Sequence, residues 1–279
     1  MTPKYMSNGN PKVLNKPTEN QAEKLSKSQR QFLRSLHQKK YRYQSGRFLI
    51  EGLKPVTEAV LASFPIESVY IVPDLYEKLN EKERQLLDLL KGKIHFVTIR
   101  DIQQISTLST PEGIIAIGVI DQPVLAGNRL SFPGIYLWEI NDPGNLGAIM
   151  RTARWFSVKN IILSPNSVDI YSPKAVRSSM GSMFFLSGFQ NVSFEELCSS
   201  AKQNNVMVFA TDMLGTSLQS PPTVPWVLVM GSESHGLPRH ILTSAARTLG
   251  VPRYGSGESL NLSVSVGILL YQLIHSGKV

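Results

Sequence analysis

The chain has 279 residues, 42% of them hydrophobic, enough for one large or two ordinary domains with a real core. No apolar run approaches the roughly 20 residues of a membrane helix and the N-terminus carries no apolar signal region, so a membrane partner is excluded and a cytoplasmic location is expected. The formal charge of +8 is concentrated: residues 1–50 hold 11 Lys or Arg against 2 Asp or Glu, the remainder 18 against 19, and such clustering marks a polyanion partner, most often nucleic acid.

Residues 1–20 mix Pro, Asn, Lys and Ser with little apolar content, and disorder is expected. From about Ala22 to Tyr43 a basic amphipathic helix is predicted, with Phe32, Leu33 and Leu36 as its stripe and Arg30, Arg34, Lys39, Lys40 and Arg42 around it. Cations interleaved with Tyr41 and Tyr43 suit phosphate contacts and stacking on exposed bases, a mode that RNA favours. Strands at Phe48–Ile50, Ser68–Val72, His95–Ile99 and Gly113–Ile120 then alternate with helices near Pro55–Ala62 and Leu75–Leu90, the pattern of a small α/β domain over 21–121. Turn formers over 122–131 mark a linker. In 132–279, near-continuous apolar strands at Ile135–Ile140, Asn160–Leu163, Val206–Ala210 and Trp226–Met230 predict a parallel sheet buried on both faces. Helices fit Ala148–Phe156, Pro173–Met183, Phe194–Asn204 and a C-terminal stretch in which Leu262, Val266, Leu269, Leu270 and Leu273 recur at helical spacing behind Ser259 and Asn261. The lone Cys198 cannot pair within the chain; with no thiol or His cluster beside it, no metal is expected, and it reads as packing.

Three loops carry chemistry. The first, Asn141 to Arg154, follows the Ile135 strand, where ligands of α/β sheets bind. It is neither a dinucleotide fingerprint nor a phosphate-binding P-loop. The second, Met230 to Pro238, holds Ser-Glu-Ser-His without the geometry or Gly-x-Ser-x-Gly context of a hydrolase. The third runs from Val251-Pro252 through Gly255 and Gly257 to Ser259, with a backbone able to approach a ligand closely.

Asn145-Leu-Gly-Ala-Ile-Met-Arg151, Gly231-Ser-Glu-Ser-His-Gly-Leu237, and Val251-Pro252 with Ser259-Leu-Asn-Leu-Ser263 resemble, in this order, the three motifs of the SpoU-type RNA 2′-O-ribose methyltransferases of the SPOUT superfamily. Ser172 to Gly181 resembles the family's intervening loop and helix. Lys40-Tyr-Arg42 and Phe48 to Gly52 resemble its ribosomal protein L30e-like substrate-binding domain. The resemblance implies a C-terminal α/β knot, a parallel sheet with a deep trefoil knot, which general folding rules would not propose. It also implies S-adenosylmethionine as methyl donor near Met230, Gly231, Val251, Pro252 and Leu260, and an active site of Asn145, Arg151, Glu233, Ser259 and Asn261. RNA contacts are expected from Arg30, Arg34, Lys39, Lys40, Arg42 and Arg177, with ribosomal RNA favoured over transfer RNA. A homodimer through the C-terminal helix is expected as well. Because a guanidinium stays protonated, Arg151 is read as a phosphate clamp and alkoxide stabiliser, with the base unassigned. Ser265 replaces the family's usual Ala, and Arg253-Tyr254 is bulkier than its usual counterpart.

Overall fold

The computed structural model describes residues 22–120, 132–218 and 220–275; the tail expected over 1–20 and the linker expected over 122–131 lie outside them. The chain begins with α1 (Lys27–Ser35), opened by a capping box in which Ser26 and Gln29 satisfy each other's backbone N–H. The single basic helix expected to reach Tyr43 is broken at 36–38, and α2 (Lys39–Ser45) follows. Leu33 and Leu36 turn into a small core with Ile102 and Ile105, while the Arg42 guanidinium donates to the Leu36 and His37 carbonyls left open at the break.

Next come β1 (Arg47–Glu51), α3 (Leu53–Leu61), β2 (Ile66–Ile71), α4 (Pro73–Lys78), α5 (Glu81–Asp88), β3 (Ile94–Phe96), α6 (Ile99–Ile105) and β4 (Ile114–Val119). The one charged helix expected over Leu75–Leu90 is two, because Asn80 caps α5 with Glu83 in a second capping box. The strand expected to reach Ile99 stops at Phe96: Thr98 accepts the Asp101 N–H and starts α6, a helix the sequence pattern did not reveal. The strands form a mixed sheet in the order β1-β4-β2-β3.

The second half runs β5 (Gly134–Leu137), α7 (Pro143–Trp155), β6 (Asn160–Leu163), α8 (Pro173–Ser178), a 3-10 turn at Ser182–Phe185, β7 (Ser187–Phe189), α9 (Phe194–Gln203), β8 (Met207–Thr216), β9 (Trp226–Met230), α10 (Arg239–Ser244), β10 (Arg247–Leu249) and α11 (Leu262–His275). Its sheet is parallel throughout, in the order β10-β8-β9-β5-β6-β7. Successive residues of the central strands feed opposite cores, Ile135, Leu137, Leu228 and Met230 into one and Tyr136, Val227 and Val229 into the other, which is why these strands read as continuous apolar runs. The chain leaves β5 toward β6 on one side and β9 toward β10 on the other, so a crevice opens at the carboxyl ends of β5 and β9.

The two sheets share apolar core, with Phe48 and Tyr171 rings 4.8 Å apart. Polar ties join them as well. Arg42 pairs with Asp169, both almost wholly buried, and Tyr43 donates to the same carboxylate at 2.8 Å. Glu58 is bridged by Arg154 and Lys54, and Arg177 reaches Glu51 at 3.4 Å.

Candidate functional site

Helix α7 begins at Pro143, five residues before the expected Ala148. Asp142 caps it by accepting the Gly144 N–H at 2.9 Å, and Pro at the first helical position needs no donor partner. The first motif is therefore helix from the start, and Asn145 sits in its first turn, buried, rather than in a loop. Lys174 pairs with Asp142 at 2.8 Å; that ion pair, with the Gly144 N–H, holds the Asp142 carboxyl below its usual range. Helix α8 lies close against this turn. A Cβ on Gly147 would sit 2.0 Å from Ser178 Oγ, so only glycine permits the approach.

Side chains from the first turn of α7, the segment after β9 and the start of α11 meet here. Asn145 donates its amide to Glu233 at 2.9 Å, and Asn261 donates its own to the Asn145 carbonyl at 2.9 Å. The second Glu233 oxygen accepts the Asn141 backbone N–H at 3.4 Å. Asn261 is held in turn by Ser263, whose N–H and Oγ donate to its carbonyl at 2.9 and 2.6 Å. This is the N-cap arrangement of α11. The relay fixes both amide orientations: each Asn donates toward the carboxylate end, which accepts.

Arg151 and Ser259 are exposed, and neither joins this relay. Arg151 follows Asn145 by six positions in α7, roughly 9 Å along the axis and about a third of a turn away in projection. It lies instead with Trp155, 84% exposed, in a separate groove of about 760 Å³ that Ala148 and Thr152 also line.

The residues expected to hold the methyl donor divide likewise. Met230 and Gly231 are buried at the end of β9, where a Cβ on Gly231 would lie 2.2 Å from the Gly236 carbonyl carbon. Val251 is half-buried, while residues 252–260, Pro252 and Leu260 among them, are exposed. An exposed segment with small residues at Gly255 and Gly257, beside a tight buried turn, fits an adenosyl group: open backbone for its polar edges, and Leu260 for its apolar face.

The cations expected to meet RNA are not equivalent. Arg34, Lys39 and Lys40 are exposed on α1 and α2, with Lys39 5.8 Å from the centre of the Tyr43 ring. Arg30 pairs with Asp101 at 2.9 Å, which together with Thr98 and the Leu25 N–H outweighs the burial that would raise the Asp101 carboxyl and leaves it below its usual range. Arg177 lies against Glu51 and Thr107. Arg42 is a correction: it is buried, with its donors consumed by Asp169 and two carbonyls, so it ties the halves together instead of presenting charge. Helix α11 buries Val266, Leu269, Leu270 and Leu273 of its expected stripe within the chain's own core, and the apolar side chains that face out are Val264 and Tyr271. Sequence reasoning missed Asn141 and Asp142, although Asp-Pro ahead of an apolar pattern is a helix-start signal.

Comparison with known proteins places two matches on this chain. Residues 134–271 match the SpoU rRNA Methylase family and residues 28–116 the MRM3-like substrate binding domain. The chain is 31% identical over 245 residues to an uncharacterized tRNA/rRNA methyltransferase of Synechocystis sp., covering 86% of this chain and 88% of that protein. It is 30% identical over 243 residues to the 23S rRNA (guanosine(2553)-2′-O)-methyltransferase RlmP of Bacillus subtilis, covering 86% and 93%. Among solved structures, the AdoMet-bound rRNA methyltransferase of Sinorhizobium meliloti superposes with a TM-score of 0.78 at 27% identity, over 91% of this chain and 97% of that one.

Proposed function

Since the chain belongs to the SpoU rRNA Methylase family, we propose that its three convergent motifs methylate a ribose 2′-hydroxyl of ribosomal RNA with S-adenosylmethionine as donor. The observation that carries the reading is the Asn145–Glu233–Asn261 relay at the crevice of the parallel sheet, in a chain that matches a 23S rRNA 2′-O-methyltransferase along nearly its whole length. When bound, the donor supplies the sulfonium methyl. The chain's own residues then have to hold a ribose oxygen in line with it, and positioning of this kind can supply much of the rate. Glu233, Asn145 and Asn261 form the rigid wall against which ribose is set. Met230, Gly231, Val251, Pro252 and Leu260 bound the donor side. Arg151 clamps the adjoining phosphate and stabilises developing negative charge on the oxygen.

The separation of Arg151 from the relay supports a homodimer in which each site takes Arg151 from the partner. Helix α11 packs on α7, with Gly267 facing Thr152 of the Arg151 groove, and these two helices carry the exposed apolar side chains Trp155, Val264 and Tyr271. Ser259 is assigned to the ribose side of the donor loop. The division into a substrate-binding domain over 21–121 and a methyltransferase domain over 132–279 is supported by the two sheets and by the spans of the two family matches. The knot, with residues 251–263 as the threaded segment, belongs to the same proposal. Among the described residues no helix is long and apolar enough to cross a membrane, and we place the protein in the cytoplasm.

The test is methyl transfer from labelled donor to ribosomal RNA of a deletion strain, with the product mapped for ribose methylation. One new 2′-O-methyl position that disappears in an Asn145→Ala variant is the expected result. Labelling of a base, or of no RNA while donor binds normally, would exclude the reading.

A further inference from the structure

The break between α1 and α2 does more than redirect the chain. Where the two helices meet they leave an open groove of about 620 Å³, lined among others by Gln31, Phe32, Arg34, His37, Gln38 and Tyr41. Phe32 and Tyr41 are 38% and 40% exposed, unusual for aromatics on a small domain with a filled core beside them. No Asp or Glu lines the groove, and Arg34, Lys39 and Lys40 are exposed around it. His37 donates from Nε2 to the Ile105 carbonyl at 2.6 Å, and its Nδ1 has no hydrogen-bond partner among the described residues.

We propose that this groove receives a single unpaired nucleobase of the RNA, which stacks against Phe32 and Tyr41 while Arg34 meets its phosphate. The inference rests on the reading of the chain as an RNA enzyme and names the RNA feature that its first domain selects. Exposed aromatic faces can stack only on a base already free of its helix, so the groove discriminates a bulged or looped nucleotide from a duplex. The Gln31 and Gln38 amides each offer both donors and an acceptor to a base edge. A groove lined by Arg34 and two amides, with no carboxylate and with Lys39 and Lys40 exposed on the same helix as Tyr41, complements a phosphate-bearing ligand.

Two RNA hairpins of identical stem test the proposal, one with 2-aminopurine as a single-nucleotide bulge and one fully paired with 2-aminopurine in the stem. The full-length protein is expected to bind the bulged hairpin about tenfold more tightly, with quenching of the fluorophore, because base–aromatic stacking has that size. Phe32→Ala and Tyr41→Ala should each abolish the preference and leave paired-hairpin affinity as it is; both side chains are partly exposed, so the fold should survive. Tyr41→Phe should retain the preference, which separates stacking from loss of the hydroxyl. Equal affinity for the two hairpins, or a bulge preference that persists in both alanine variants, would overturn the groove while methyl transfer to ribosomal RNA left the wider reading standing. Absence of both hairpin binding and methyl transfer would instead sink the wider reading.

Discussion

Two arginines, Arg151 and Arg42, differ in what they can do because of where their guanidinium groups end up. Arg151 is exposed beside Trp155 and has no part in the amide relay. Arg151→Ala is accordingly expected to reduce turnover by about 100-fold, the scale of a lost transition-state donor, with donor affinity by calorimetry within about twofold; near-normal turnover would remove Arg151 from the site. Arg42, by contrast, is 3% exposed and paired with Asp169. Removing one partner of a buried pair costs roughly 3–5 kcal/mol, and Arg42→Ala should destabilise by that order in urea unfolding. The dependence of RNA affinity on salt should stay as it is, since that charge displaces no counterions. A flattened salt slope without loss of stability would restore Arg42 to the RNA surface.

At the scale of elements, the site depends on turns that tolerate no added atom. Gly231→Ala places its Cβ against the Gly236 carbonyl, backbone that cannot swing aside. We expect at least a tenfold loss of donor affinity, on the order of 1.4 kcal/mol, with the parallel sheet intact by circular dichroism. Wild-type donor binding would show that the turn opens freely. The 3-10 turn and α3 meet at a second contact of this kind, through Glu58. Burial alone would raise this carboxyl; its bonds to Lys54 and Arg154 reverse the sign and leave it below the ordinary 4.5. A depressed carboxylate contributes stability above its unfolded value and loses it as pH falls through the folded one. Thermal unfolding temperature should therefore drop more steeply below about pH 4.5 in the native protein than in Glu58→Gln, which has no charge to lose. Parallel pH profiles would mean that the tie between the halves does not depend on Glu58 ionisation.

At the scale of the whole molecule, the arrangement of one chain is the ground for the proposed composite site. The relay and Arg151 project from different faces of α7, and in the proposed dimer the partner's Arg151 completes each site. Light scattering should give twice the 31.0 kDa chain mass. Tyr271→Glu, at an exposed position on α11, should yield a folded, inactive monomer. Mixing Arg151→Ala with Asn145→Ala subunits should recover part of the activity that neither retains alone. An active Tyr271→Glu monomer would show that a single chain suffices.

Much of this was legible from residue order. The central strands Asn160–Leu163 and Trp226–Met230 have the bounds that their apolar runs predict, because burial on both faces leaves no room for polar residues. The three motifs were equally plain, since small residues and amides cluster where backbone must approach a ligand. What the sequence could not determine were the breaks at 36–38 and at Asn80, which depend on hydrogen bonds at helix ends, and the elements β7, β10 and α10, too short to show a period. Nor could it separate Arg42 from Arg34 as buried or exposed. A cation-rich helix and an apolar stripe look the same along the chain whether they face solvent or another element; only the packing of one sheet against the other decides which charges are consumed inside the fold and which are left for RNA.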